Sequence, residues 1–200
     1  MRTTFLAGAL LVLTVGGPMA SAQEKQPAAH PFGLSSIDLA FTYTPERANV
    51  ASSGGSFWLR GESADAAFTF FHGLGMAASV TGVRASNIAP SVSLGKLAIM
   101  GGPRYTLRVG SKHENRVFAE ALFGGVHAFD SAFPTSTGIT PTANSFSLLL
   151  GGGWDVAVSK HFAIRAIEAD YVRTSLPNNG TNTQDYLRLA FGVSYHIQRH

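Results

Sequence analysis

From residue 36 onward, apolar and polar residues alternate one for one. Ile37, Leu39, Phe41 and Tyr43 fall on one side of an extended chain; Ser36, Asp38, Ala40 and Thr42 fall on the other. A period of two marks a half-buried β-strand. The pattern returns seven times. Ala64, Ala66, Phe68 and Phe70 alternate with Ser63, Asp65 and Thr69. Leu74, Met76, Ala78 and Val80 alternate with Gly75, Ala77, Ser79 and Thr81. Ile99, Gly101, Pro103, Tyr105 and Leu107 share one face; Met100, Gly102, Arg104 and Thr106 share the other. Ala119, Ala121 and Phe123 oppose Glu120, Leu122 and Gly124. Phe146, Leu148, Leu150, Trp154 and Val156 oppose Gly151, Gly153 and Asp155. Ile167, Ala169 and Tyr171 oppose Glu168 and Asp170. The cleanest stripe is the last: Leu187, Leu189, Phe191, Val193, Tyr195 and Ile197 against Arg188, Ala190, Gly192, Ser194 and His196.

Connections between these segments alternate in length. Short turns fall at 72–73, 109–116 and 159–160. Longer loops fall at 45–55, 84–96, 129–144 and 175–184, the last holding a Pro-Asn-Asn-Gly turn cluster. Eight segments of about 9–12 residues have the length of tilted membrane strands. An even strand count with alternating short and long connections predicts an all-β, eight-stranded, antiparallel up-and-down transmembrane barrel, both ends at the short-turn rim. Two irregularities are expected. Arg60 and Glu62 break the parity of their strand, so Gly61 marks a bulge or the membrane boundary. Pro103 has no N–H for a ladder, which predicts a bulge or a strained pairing.

The amino terminus carries an export signal. Met1-Arg2 is a short basic start, residues 5–15 an apolar core, and Ala20-Ser21-Ala22 an A-x-A cleavage site. The expected organisation is a signal peptide at 1–22, a flexible lead-in at 23–35 and a barrel at 36–200. The apolar core is too short to span a bilayer as a helix, and no later run approaches ~20 apolar residues.

Composition decides which way the faces point. Charged residues make up 14% of the chain, against ~25% in average soluble domains. There is no cysteine, so stability must come from packing and strand closure. A soluble ligand-binding barrel has an apolar lumen and a polar exterior. Here the faces bearing acids and arginines also bear Gly, Ala, Ser and Thr, which fill a narrow interior. The opposite faces bear Leu, Phe, Val, Ile, Trp and Tyr. Tyr43, Phe70, Tyr105, Tyr171 and Tyr195 sit near strand ends, where aromatic girdles form. The net charge of +3 is spread along the chain. The nearest thing to a basic cluster, Lys112, His113 and Arg116, is interrupted by Glu114 and reads as a solvated turn, so no nucleic-acid partner is expected.

Candidate chemistry is confined to the inward faces. Hairpin register sets Arg104 opposite Glu120 and Asp170 opposite Arg188, as structural charge pairs inside the lumen. Seven histidines are scattered over ends and turns without metal-ligand spacing, so no metal, cofactor or catalytic residue is assigned. A lipid A deacylase would place a serine two residues from a histidine on one strand face. No histidine here has a serine two residues on, and His127 with Asp130 and Ser131 is the nearest approach. Gly151-Gly152-Gly153 has no following Lys-Ser/Thr and reads as close interior packing rather than a phosphate loop.

Gly102-Pro103-Arg104-Tyr105, Gly151-Gly152-Gly153-Trp154-Asp155 and Asp170-Tyr171 resemble the small outer-membrane β-barrel domains of Gram-negative bacteria, in particular the transmembrane domain of outer-membrane protein A. The resemblance implies a cell outer-membrane location, contact with outer-membrane lipid and lipopolysaccharide, delivery by the barrel-assembly machinery, and a monomer. One departure stands out. Such barrels end on an aromatic residue read by that machinery, whereas Tyr195-His196-Ile197 is followed here by Gln198-Arg199-His200. The expected function is a non-enzymatic barrel with a structural or surface-interaction role and a lumen filled by side chains. The alternatives are a narrow channel or transporter for small or hydrophobic molecules, a lipid-modifying enzyme, and a soluble secreted ligand-binding barrel.

Overall fold

The alternating strands close on themselves, and closure alone removes the unpaired sheet edges of an open sheet. The computed structural model describes residues 35–49, 55–89, 92–110, 115–178 and 180–198. The signal peptide, residues 23–34 of the lead-in, Lys112, His113, Asn179, Arg199 and His200 lie outside the described residues. The elements are β1 (Ser36–Tyr43), β2 (Glu46–Asn49), β3 (Ser56–Phe71), β4 (Leu74–Ala89), β5 (Val92–Val109), β6 (Asn115–Phe129), β7 (Phe133–Thr135), β8 (Gly138–Thr140), β9 (Ala143–Ala157), β10 (Phe162–Thr174) and β11 (Gln184–Gln198). β7 and β8 form a separate small hairpin; the others run antiparallel in one ring. β1 and β2 are one stave interrupted at Pro45. Both pair with β3 and β11 in unbroken register, Tyr43 opposite Glu62 and Glu46 opposite Leu59. The wall therefore has eight staves. The described ends, near residues 35 and 198, share a rim with the turns at 72–73 and 158–161.

The outward face is apolar from rim to collar. Leu39, Phe41, Met76, Ile99, Leu107, Phe123, Phe191 and Val193 are all exposed. A soluble protein does not leave so continuous an apolar surface in water. Tyr43, Phe70, Tyr105, Tyr171 and Tyr195 are exposed on that face, with Tyr195 edge-on to Phe162.

The three loop expectations at 45–55, 84–96 and 129–144 are corrected. Residues 84–96 are wall, not loop: Val83 pairs with Lys96 and Arg84 with Gly95. β3 and β4 run for 16 residues and β5 for 18, well beyond the ~9–11 that cross the hydrocarbon. The staves rise above the apolar belt, and there the outward residues turn polar, which disguises the period. Part of the 45–55 segment is likewise strand β2, and β7–β8 structures the 129–144 segment. Of the two readings of Gly61, a bulge or the membrane boundary, the structure excludes the bulge. The β3–β4 register is continuous through it, so Arg60 and Glu62 simply point outward above the belt. At Pro103 the β5–β6 ladder skips Gly102 and Pro103, as the missing N–H predicts, but resumes without a register shift. Gly101 faces Phe123 on one side of it and Arg104 faces Glu120 on the other.

The true irregularities lie elsewhere. β3 slips between Thr69 and Phe71, β4 and β5 slip near the outer rim, between Ala85 and Ala89, and β10 carries an extra residue between Arg165 and Glu168. The β10 bulge matters most. It resets the parity of the strand, so that Arg165 and Glu168 both point inward, where strict alternation would send one of them to the lipid. Both are buried.

The interior has two zones. The short-turn half is polar. Toward the outer rim an apolar cluster of Leu59, Val83, Met100, Leu122, Leu149, Val172 and Tyr186 fills the bore. Phe133 of β7 and Leu176 pack with Val126 and Ala128 above it. Gln184 holds Leu176 in place: its Oε1 accepts from the Leu176 N–H at 3.0 Å and its Nε2 donates to the Leu176 carbonyl at 2.8 Å. The modest outer loops thus supply an apolar cap to the lumen, a role their polar composition did not suggest.

Candidate functional site: the charged lumen

Each inward strand face delivers its charges to the same bore. Among the described residues seven carboxylates are buried: Asp38, Glu46, Asp65, Glu120, Asp155, Glu168 and Asp170. Facing them are Lys96, Arg104, Arg116, Arg165, Arg188 and His196. Buried charges persist only when paired and hydrogen-bonded. Arg104 stands opposite Glu120, with Nη2 and Oε2 2.6 Å apart. Asp170 stands opposite Arg188, whose Nε donates to Oδ2 at 2.7 Å. These two pairs are parts of a larger web. Arg188 also binds Glu168 and donates to the Thr81 hydroxyl at 3.0 Å. Arg165 grips both Asp155 oxygens at 2.9 and 3.2 Å. Its Nη1 reaches Glu168 at 2.8 Å and Asp65 at 3.3 Å.

Phe118 is the aromatic floor of this web. The guanidiniums of Arg104 and Arg165 lie 4.1 and 4.6 Å from its ring centre, a favourable placement of cation over π-face. Gly153 makes room for the ring: a Cβ there would lie 2.7 Å from Phe118 Cζ and 2.8 Å from the Ile167 carbonyl oxygen. Gly153→Val should therefore cost about 1–3 kcal/mol through overpacking. A chemical denaturation series in detergent micelles checks this, and an unchanged midpoint would show that the ring is not held there.

Two further groupings flank the centre. Toward the outer rim, Lys96 Nζ bonds Glu46 Oε1 at 2.7 Å and sits 3.6 Å above the Tyr186 ring. Toward the short-turn rim, Asp38 receives Arg116 at 3.2 Å and His196 Nδ1 at 2.7 Å. Arg116 is thus a lumen residue, not part of a solvated turn. His196 Nε2 lies 3.3 Å from Ser194 Oγ. Aspartate, histidine and serine stand in the order of a hydrolytic relay. Sequence reading looked for serine after histidine, whereas here it precedes by two, and Asp38 joins them only when β1 closes against β11. Ser194 is 1% exposed and Asp38 is shared with Arg116. His127, by contrast, bonds Asn144 on the exterior at 2.7 Å, and Asp130 bonds Arg84 at 2.9 Å.

A closed ring of eight antiparallel staves, apolar outside and charged inside, settles the architecture. The fold is that of the small outer-membrane barrels. No family model and no curated protein matches the chain. Among solved structures it is similar to Ail, the attachment invasion locus protein of Yersinia pestis, in complex with the heparin analogue sucrose octasulfate. The TM-score is 0.55 at 16% identity, over 82% of this chain and 100% of that one. It is also similar to Neisserial surface protein A, with a TM-score of 0.52 at 14% identity, over 82% of this chain and 96% of that one. At these identities the small outer-membrane barrels share the fold with this chain.

Proposed function

We propose that the chain is a non-enzymatic outer-membrane barrel with a structural or surface-interaction role, its lumen sealed against solutes. One observation carries this reading: the bore is crossed by the arginine–carboxylate web and then by the apolar cluster beneath Phe133 and Leu176. A cavity between these zones, lined by Glu46, Thr81, Lys96, Ser147 and Arg188 among others, measures about 20 Å³, room for about one water. The apolar belt fits a lipid bilayer, and the polar collar above it would stand outside the membrane. Arg47 and Arg60 are exposed on that collar and give it a means of holding anionic groups, while Arg84 and Arg173 there are ion-paired with Asp130 and Asp185. Ail, of the same fold, is seen with a sulfated sugar, which fits such a role. The buried Asp38–His196–Ser194 relay serves in this reading as a polar seal at the lower mouth.

Purified protein in planar bilayers should show no steady conductance and no solute flux in swelling assays. Reproducible single-channel steps would instead favour a narrow channel. Turnover of a lipid ester that is lost in Ser194→Ala would favour the lipid-modifying reading.

A further inference from the structure

The central web is not electrically balanced. Among the described residues, seven buried carboxylates share the lumen with five buried cations, Lys96, Arg104, Arg116, Arg165 and Arg188, and with His196, which is hydrogen-bonded to Asp38. Two negative charges are left over in the middle of a closed barrel. The surplus is localised. Carboxylate oxygens of Glu120, Glu168 and Asp170 all lie within 4.8 Å of one another. Glu120 Oε1 and Asp170 Oδ1 have no hydrogen-bond partner among the described residues, although the two side chains are 1% and 0% exposed. Glu120 and Asp170 each give one oxygen to an arginine and keep the other free, whereas Glu168 between them gives Oε1 to Arg188 and Oε2 to Arg165.

The backbone is cut to fit this arrangement. Glu120, Gly151 and Asp170 lie in one row across β6, β9 and β10. A Cβ on Gly151 would overlap Asp170 Oδ1. The middle position of the row must be glycine for the free oxygen to turn inward. Sequence reading took the glycine run as interior packing; here one of its members leaves space for a carboxylate.

We propose that Glu120, Glu168 and Asp170 form a binding site for one calcium-like divalent cation inside the barrel. A charge of +2 cancels the surplus. Three carboxylates with no nitrogen or sulfur donor form a hard, oxygen-only ligand set. Oxygens bound to one calcium ion at 2.3–2.6 Å lie no more than about 5 Å apart, and one oxygen from each of the three carboxylates lies within 4.8 Å of the others. Magnesium dehydrates reluctantly and usually keeps several waters, for which a buried site has little room. Arg104 and Arg188 hold the opposite oxygens of Glu120 and Asp170, and Arg165 with Arg188 fixes Glu168 between them. These arginines also oppose the ion's charge, which sets the affinity in the weak, extracellular class of about 10⁻⁴–10⁻³ M.

The test is calorimetric titration of calcium chloride into the refolded full-length barrel in zwitterionic micelles, after chelator treatment. The expected result is one site per chain, competed only weakly by magnesium, with a higher thermal midpoint that chelator reverses. Glu120→Gln/Asp170→Asn should abolish the site. Glu62→Gln, on the exterior, should leave it intact. Absence of binding to the wild-type protein at about 10 mM calcium, ten times the weakest class above, would overturn the proposal whether or not the double variant folds. So would calcium binding that survives in a folded double variant. A third overturning result is a buried carboxylic-acid band in the infrared spectrum of the wild-type protein that persists at saturating calcium and disappears in the double variant. Protons would then be carrying the surplus. None of these readouts depends on whether the barrel conducts, so the two proposals fail separately.

Discussion

Replacing Arg165 by methionine should cost about 3–5 kcal/mol of folding stability, the usual penalty for breaking a buried ion pair from one side. Arg165 serves three carboxylates at once. Its guanidinium holds both oxygens of Asp155, reaches Glu168 and Asp65, and lies over Phe118. Methionine matches the stem but leaves those acids facing each other in a low-dielectric bore. Trp58 and Trp154, both on the outer surface, give a fluorescence signal for denaturation in micelles or vesicles. Adding Asp155→Leu to Arg165→Met should recover part of the loss, because the double change removes charge from both sides, so the cycle should be non-additive. A cost below about 1 kcal/mol would mean that bulk water reaches the web and screens it as at a protein surface.

Arg165 also shows where sequence reading stops. The eight strands, their order and the inward placement of Arg104, Glu120, Asp170 and Arg188 follow from parity plus hairpin register, both local properties. The partnership of Arg165 depends on the bulge in β10, and the polar inward faces give no advance sign of it. With strict alternation from Ile167, Arg165 would point to lipid. Asp38 is separated from His196 by nearly the whole chain, and only ring closure brings them together. The outer ends of β4 and β5 are obscured for a different reason. Above the bilayer the outward Arg84 and Ser86 are polar and the inward Lys96 is charged, which hides a period that the buried Val83 and Ala85 still keep. The outer loops read as polar connections because Phe133 and Leu176 are single apolar residues. Their capping role appears only once the bore beneath them is in place.

The outward face makes the complementary prediction. Val193 sits in the middle of the β11 stripe, 56% exposed, between Phe41 on β1 and Ile164 on β10. Val193→Arg should destabilise the barrel by about 2–4 kcal/mol in a bilayer, the cost of an arginine on the lipid face near the midplane. The same charge on Val109, which is also exposed and outward but at the short-turn rim, should cost about 0–1 kcal/mol, because the headgroup region can solvate it. The contrast between the two positions tests the membrane reading, since both are exposed valines on one continuous face. In a soluble barrel neither arginine would meet hydrocarbon, and the two substitutions would be equally mild. Reversible unfolding from phospholipid vesicles measures both. Equal costs would remove the bilayer from the account of this surface and leave the apolar belt to be covered by something else.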